Sequence, residues 1–191
     1  MKGTLRVVGG TAKGMRLRTV PGDTTRPITD IVKEALFNIL GSEVINNKIL
    51  DVFGGTGAVG IEALSRGADF VTFLDKSQRA VDTIRANLDT TRFQAQARVL
   101  RTDAFTFLGS PQPEPYDLIY IAPPQYKSMW FKALELVDVQ PGMLSEDGQV
   151  IVQINPVEWE EITLQNLSIF DRRKYGDTLL IFFEKIIAET E

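Results

Sequence analysis

Apolar positions along this chain follow two periods, and each change of period marks an element. Arg6–Val8 and Met15–Val20 alternate or nearly so, and Gly9-Gly10-Thr11-Ala12-Lys13-Gly14 between them is rich in turn formers, which predicts a small β-hairpin. Pro21 to Pro27 reads as an irregular loop. A helix follows, capped near Thr29 or Asp30, with Val32, Leu36, Ile39 and Leu40 at helical spacing and Gly41 as its stop. Ile49–Val52 is a buried-strand run that passes through glycines into helical Ile61–Leu64. The pattern then gives a strand over Asp69–Asp75, a helix over Ser77–Leu88 with Val81, Ile84 and Leu88 inward, and a strand over Ala97–Leu100. Beyond it come a strand at Tyr116–Ile121, a helix at Met129–Val137, a strand at Gln149–Ile154 and a short helix at Val157–Ile162. The last strands, Ser168–Arg173 and Thr178–Glu184, are joined by Lys174-Tyr175-Gly176-Asp177, a link so short that they must pair antiparallel. Strand and helix alternate throughout, which predicts an α/β doubly wound sheet.

At 191 residues the chain has room for one well-filled α/β domain and a small appendage. Gly109 to Pro115 is a stiff polar surface loop rather than a linker, because strand-like Tyr116 resumes at once. Hydrophobic content of 43% and charged content of 24% describe an ordinary soluble protein, and no apolar run approaches membrane-spanning length. Met1-Lys2-Gly3-Thr4 leads into Leu5-Arg6-Val7-Val8 without the long apolar core of a secretory signal, so a cytoplasmic location is expected.

The absence of both cysteine and histidine narrows the chemistry further. It excludes a disulfide, a thiol nucleophile, an imidazole base and a zinc site of the usual type, and no metal is expected. Carboxylate, hydroxyl, amide and backbone chemistry remain. Charge is also uneven. Residues 1–37 hold seven basic side chains (Lys2, Arg6, Lys13, Arg16, Arg18, Arg26, Lys33) against three acids (Asp23, Asp30, Glu34), on a chain whose net charge is −4. A local basic surface for a polyanion is one reading, and a solvated basic hairpin is the other.

Gly54, Gly55, Gly57 and Gly60 follow a strand and open a helix, the arrangement of a nucleotide-cradling turn. Gly55-Thr56-Gly57-Ala58-Val59-Gly60 fits the dinucleotide pattern G-x-G-x-x-G, so glycines alone do not separate a nicotinamide site from an S-adenosylmethionine site. Asp51 favours the second, because its charge would repel a phosphate and attract the ammonium of a methionine moiety. Asp75, ending the next strand, can accept from ribose hydroxyls of either cofactor. Asp103 can accept from an adenine amine, with small Ala104 leaving room for the ring. Ala122-Pro123-Pro124 ends a fourth strand and stiffens the backbone so that its carbonyls are aimed. These four strand ends are expected to rim one crevice.

The chain resembles the ribosomal RNA small-subunit methyltransferase D family over nearly its whole length. The residues that carry the likeness are Val8-Gly9-Gly10 with Lys13-Gly14 and Leu17, Thr25-Arg26-Pro27 with Thr29-Asp30, and Glu34-Ala35-Leu36-Phe37-Asn38. Asp51-Val52-Phe53-Gly54-Gly55-Thr56-Gly57, Glu62-Ala63-Leu64-Ser65-Arg66-Gly67-Ala68 and Tyr175-Gly176-Asp177-Thr178 add to it. The resemblance implies a Rossmann-like methyltransferase sheet of seven strands, the last antiparallel. It implies an RNA-facing hairpin extension over residues 1–27 and an S-adenosyl-L-methionine-dependent domain over 28–191. The implied reaction is methylation of a guanine N2 amine in small-subunit ribosomal RNA, free or in an assembling subunit, by a monomer.

By the same resemblance Asp51 and the turn Gly54, Gly55, Thr56 and Gly57 hold the methionine part of the cofactor, Asp75 the ribose, and Asp103 and Ala104 the adenine, with Phe53 and Lys76 also among the cofactor-binding residues. Lys13, Arg16, Arg18 and Arg26 would face RNA. Ala122, Pro123, Pro124, Gln125 and Tyr126 form the catalytic turn, and here the chain departs from the family. An Asp or Asn before Pro-Pro and an aromatic residue after it are expected, whereas this chain has Ala122 and Gln125, with Tyr126 one position late. The alternative reading is therefore an RNA-binding or assembly protein that keeps the fold with slow, retargeted or lost activity. A nicotinamide oxidoreductase is the remaining one.

Overall fold

The computed structural model describes residues 5–22, 28–125 and 128–186. Its strands are β1 (Lys48–Asp51), β2 (Phe70–Asp75), β3 (Ala97–Arg101), β4 (Tyr116–Ile121), β5 (Leu144–Ile154), β6 (Leu167–Tyr175) and β7 (Thr178–Lys185). They form a seven-stranded sheet of order β3-β2-β1-β4-β5-β7-β6. Pairing is parallel within β1–β2–β3 and within β4–β5, and β7 runs antiparallel to both β5 and β6. The helices are α1 (Asp30–Leu40), α2 (Ala58–Ser65), α3 (Gln78–Thr91), α4 (Ala104–Leu108) and α5 (Met129–Asp138). The doubly wound sheet with an antiparallel last strand is the expected one. The chain divides into two compact units, residues 1–104 and 105–191.

In the first unit β1 and β2 are apolar on both faces, with Ile49, Leu50, Val71, Phe73 and Leu74 all buried, as parallel strands covered on both sides require. All eight residues of α2 are buried. Its contact with β2 depends on Gly60, where a Cβ would lie 2.3 Å from Phe73 Cε1. Thr29 caps α1 by accepting from the Val32 N–H, and Gly41 ends it at φ 53° with its N–H on the Phe37 carbonyl. The buried face of α1 is Val32, Lys33, Leu36, Phe37 and Leu40. Ile39, expected inward, is instead exposed, because the interior accepts Lys33 on the opposite flank of the stripe.

Lys33 is inside because Glu62 is. Both side chains are fully buried, Lys33 Nζ lies 3.7 Å from Glu62 Oε2, and it also donates to the Arg6 carbonyl. Glu62 further accepts from Arg66 Nε at 2.8 Å and from the Val8 N–H at 2.8 Å. Burial pushes the Lys33 ammonium below its ordinary pKa, against the upward pull of Glu62 and Asp30. One helix carboxylate therefore ties α1, α2 and the N-terminal hairpin together. Among the described residues the hairpin is closed by an isolated antiparallel bridge, Arg6 to Arg16, and by backbone hydrogen bonds from the Leu17 N–H to the Leu5 carbonyl, the Val7 N–H to the Met15 carbonyl and the Gly14 N–H to the Val7 carbonyl. Its Gly9-Gly10 corner rests on Ser65, whose Oγ donates to the Gly9 carbonyl at 2.6 Å and accepts from the Ala12 N–H at 2.9 Å. A Cβ on Gly10 would stand 1.8 Å from the Ser65 carbonyl oxygen. Leu5, Val7, Ala12 and Leu17 are buried, so the hairpin packs into its unit.

In the second unit β4 and β5 are again buried, and β5 begins at Leu144, earlier than its apolar core Gln149–Ile154 predicts. A register shift between Tyr116 and Leu118 lets the polar stretch before Gln149 join the strand. The helix expected over Val157–Ile162 does not form. Pro156–Glu158 makes one turn, closed by an Asn155/Glu158 capping box, and Trp159 is extended. The Trp159 ring stacks on Trp130 at 5.7 Å, so packing of one large side chain overrides local periodicity. Asp138, at the end of α5, accepts from the Gln165, Asn166 and Leu167 N–H groups at 2.8, 2.8 and 2.9 Å and sets where β6 begins. Helix α4, with only five residues, is too short to show a period and has no counterpart in the sequence pattern.

Lys33→Met should lower unfolding stability by about 3 kcal/mol, the low end for breaking a buried ion pair, because Arg66 still compensates Glu62. Urea unfolding measures this, and a loss below about 0.5 kcal/mol, the range of a surface substitution, would show that Glu62 does not need the buried ammonium.

Candidate active site

The parallel registers of β1, β2 and β3 place Asp51, Asp75 and the Asp103-Ala104 pair at one carboxyl edge of the first unit. The glycine turn after β1 is pinned to the end of β2. Gly54 N–H donates to the Leu74 carbonyl at 2.8 Å, and Gly55 N–H donates to Asp75 Oδ2 at 3.0 Å. Gly57 N–H closes the turn on the Gly54 carbonyl at 2.7 Å. Gly55 and Gly57 have φ values of 53° and 77°, where a side chain would be strained. A Cβ on Gly54 would come within 2.8 Å of Ile84 Cδ1. Phe53 is half-buried beside them, and Thr56 Oγ1 accepts from the Ala58 N–H at the start of α2.

Asp75 is half-buried, and its other oxygen accepts from the Ser77 N–H at 2.8 Å. Each oxygen thus already takes one amide and keeps a lone pair for a ligand hydroxyl. Lys76 and Asp103 are exposed, while Ala104 is buried as the first residue of α4.

Asp51 differs from the other acids. It is buried at 2% exposure, and its Oδ1 has no hydrogen-bond partner among the described residues. Burial raises its carboxyl to about 7; the Gly60 N–H opposes that rise and the charge of Asp75 adds to it. A buried carboxylate with an unused oxygen, placed before a glycine turn, is costly unless a cation or a donor meets it. The arrangement fits a ligand that presents an ammonium there.

In the second unit Ala122, Pro123 and Pro124 follow β4 and are half-buried, and Gln125 is exposed. Behind them Ile121 is fully buried, and the Tyr120 hydroxyl donates to Gln153 Oε1 at 2.6 Å across to β5. Tyr126 lies outside the described residues, as does Arg26. Lys13, Arg16 and Arg18 are all exposed on the hairpin. The basic surface is smaller than the count over residues 1–37 suggests, since Lys33 is buried against Glu62 and Arg6 pairs with Asp30 at 2.9 Å.

Asn87 is a link that sequence reading missed. It is fully buried on α3, accepts from the Arg18 N–H at 2.7 Å, and donates to the Arg18 and Thr56 carbonyls at 3.1 and 2.8 Å. One amide side chain so joins the hairpin strand to the glycine turn. A polar residue within the inward stripe of Ile84 and Leu88 was the available signal. Among the described residues no group of three or more acids could hold a metal ion, and no helix is long and apolar enough to cross a membrane.

The family model described as Conserved hypothetical protein 95 matches residues 5–184. The chain belongs to this family, that of the ribosomal RNA small subunit methyltransferase D proteins. It is 36% identical over 184 residues to "Putative rRNA methyltransferase YlbH" of Bacillus subtilis, covering 95% of this chain and 99% of that protein. It is 31% identical over 183 residues to "Ribosomal RNA small subunit methyltransferase D" of Haemophilus influenzae, covering 91% and 94%. Among solved structures, "Putative methyltransferase yhhF from Escherichia coli" superposes with a TM-score of 0.83 at 27% identity, over 96% of this chain and 98% of that one. A putative methyltransferase complexed with SAH, SMU.776, shares the fold with a TM-score of 0.65 at 19% identity, over 82% of this chain and 48% of that one. The fold is thus the Rossmann-like methyltransferase fold.

The raised Asp51 carboxyl gives a pH signature in the ligand-free protein. An acid that holds its proton more tightly when folded adds stability below its unfolded value of about 4, and that contribution is lost as pH rises to about 7. The melting temperature of the wild type relative to Asp51→Asn should therefore fall across that window and then level off. Parallel melts of the two proteins check this, and a difference independent of pH would rule it out.

Proposed function

We propose that this family member transfers a methyl group from S-adenosyl-L-methionine to the exocyclic N2 amine of a guanine in small-subunit ribosomal RNA. The observation that carries the reading is the unpartnered, buried Asp51 oxygen before the glycine turn, a place suited to the ammonium of a methionine moiety and unsuited to a pyrophosphate. The names of its relatives support RNA as the substrate. The reading includes a monomeric, cytoplasmic protein in which residues 1–27 face RNA and residues 28–191 form the methyltransferase domain.

When bound, S-adenosylmethionine supplies a methyl group on a sulfonium, open to displacement by an amine lone pair. Asp51 orients the amino-acid end, and Phe53, Gly54, Gly55, Thr56 and Gly57 shape the turn around it. Asp75, already fixed by two backbone amides, would accept from the ribose hydroxyls, with Lys76 next to it in the chain. Asp103 would accept from the adenine amine, with small Ala104 leaving room for the ring.

The amine of guanine is a poor nucleophile because its lone pair is delocalised into the ring. Acceptors on its hydrogens localise that pair and aim it. Pro123 and Pro124 stiffen the turn so that the carbonyls around Ala122 do this, and Gln125 and Tyr126 are the side chains proposed to meet the base. Lys13, Arg16, Arg18 and Arg26 contact the RNA backbone. Ala122 favours a second reading, an RNA-binding or assembly protein with slow, retargeted or lost activity, since a methyl group replaces the acceptor expected there.

Methyl transfer to small-subunit RNA and to particles, with the product base mapped, tests the proposal. The expected product is N2-methylguanine; RNA binding without turnover would favour the second reading. Ala122→Asp should speed single-turnover transfer about tenfold, less than a well-matched acid/base group because Gln125 and Tyr126 are also out of pattern. The catalytic role of this turn would fail if both that variant and a Pro123→Ala, Pro124→Ala double variant reacted at the native rate. Arg16→Ala with Arg18→Ala should lower the salt dependence of RNA binding by one to two phosphate contacts, about one to two in the log–log slope. An unchanged slope would leave the hairpin without an RNA contact.

A further inference from the structure

Arg172, Arg173 and Lys174 are the only adjacent basic residues in the chain, and they lie in β6, at the edge of the sheet. All three are exposed. Charges on an edge strand commonly block strand pairing between molecules, and that use is the first to weigh. The distribution along β6 argues against it. The amino half carries exposed Ile169 and Phe170 with no basic residue, so the strand part most in need of protection has none. The charges sit in the carboxyl half, where regular pairing with β7 continues to the turn at Gly176.

The registers say what that half lies beside. Within the second unit β6 runs parallel to β4 and β5, and Ile121, Val152, Ile181 and Arg172 share one row across β4, β5, β7 and β6. Arg172 and Lys174 therefore stand level with the Ala122-Pro123-Pro124 turn, three strand spacings away, roughly 14 Å. A short stretch of polynucleotide spans that distance.

Strand alternation separates the three charges. Arg172 and Lys174 share one face, and Arg173 points to the other, where Nε pairs with Asp171 Oδ2 at 2.9 Å. On the first face the Arg172 guanidinium lies over the Trp159 ring, 5.3 Å from its centroid, and Trp159 is stacked on Trp130. Trp159 arrives from the segment that follows β5, at the same sheet edge. A ring in that position holds the guanidinium by cation–π attraction and leaves its in-plane N–H groups free of the ring, which suits phosphate oxygens.

We propose that Arg172 and Lys174, with Trp159 as the platform for Arg172, form a second contact for the substrate RNA backbone, flanking the nucleotide at the Ala122–Pro124 turn. The inference rests on the reading of the chain as an RNA-acting protein. It also gives a use to the Tyr175-Gly176-Asp177-Thr178 motif, whose tight turn keeps Lys174 at the sheet edge.

The test is RNA binding by the full chain to a small-subunit RNA fragment over a range of salt, with methylation kinetics in parallel. An Arg172→Gln, Lys174→Gln double variant should lower the slope of log affinity against log salt by about 1.5, as for two phosphates. It should raise KM for RNA about tenfold and leave cofactor affinity and kcat unchanged. Lys174→Gln alone should show about half the change in slope, so a folding defect in the double variant would not obscure the result. Arg173→Gln, on the paired face, should behave as wild type. Equal slopes in wild type and double variant would overturn the proposal, as would a loss in Arg173→Gln as large as that in the double variant. Self-association of the double variant with an unchanged slope would make these residues guards of the edge. A wild type that bound RNA without methylating it would remove the proposed reaction and leave this contact standing. One that bound no RNA would remove both.

Discussion

Glu62 has no access to water, and most of the first unit is arranged to make that tolerable. A buried carboxylate must be compensated by charge and by hydrogen bonds, or it takes up a proton. Here compensation comes from three directions: Lys33 on α1, Arg66 just past the end of α2, and the Val8 amide of the hairpin. Each partner is thereby fixed in place. Lys33 in turn reaches the Arg6 carbonyl, so the hairpin is held at two points by one ion pair and its neighbour. Ser65 adds a third point, where Gly10 lets the backbone come against the helix end. A short two-stranded hairpin is marginally stable at best alone. It is ordered because the helix beneath it needs its amide.

A second buried carboxylate of the same unit is only partly compensated by the described residues. Asp51 is buried almost as deeply as Glu62, yet its Oδ1 has no hydrogen-bond partner among the described residues. Between two similar acids on neighbouring elements, what differs is the set of fixed donors that each one meets. Asp75 stands between them in character, since it organises the glycine turn through two amides and retains capacity for a ligand. Asn87 then joins that turn to the hairpin, so the element proposed to meet RNA and the element proposed to meet the cofactor share a buried amide.

The second unit works by register more than by buried charge. β4 and β5 carry the Ala122–Pro124 turn on a rigid apolar base, and β7 and β6 extend the row outward to Arg172. Ala122 removes an acceptor side chain but leaves the backbone geometry of the turn to the two prolines, whose fixed φ does not depend on the residue before them. Fold and turn therefore persist whether or not the reaction is fast.

Period and turn chemistry alone determined the strand–helix alternation, the antiparallel final pair, the Thr29 cap, the glycine turn and the exclusion of histidine and cysteine chemistry, because each depends on residues near one another in the chain. The motifs from Val8 to Thr178 determined the family for the same reason. Tertiary structure decided what depends on distant partners. Lys33 looked like a surface charge until Glu62 was found beside it, and Ile39 looked like core until that pair turned the helix face. Trp159 broke a predicted helix by stacking on Trp130, a residue 29 positions earlier. The position of Arg172 beside the Ala122 row exists only in the sheet register. Burial and strand pairing are properties of the packed chain, and a list of residues in order does not contain them.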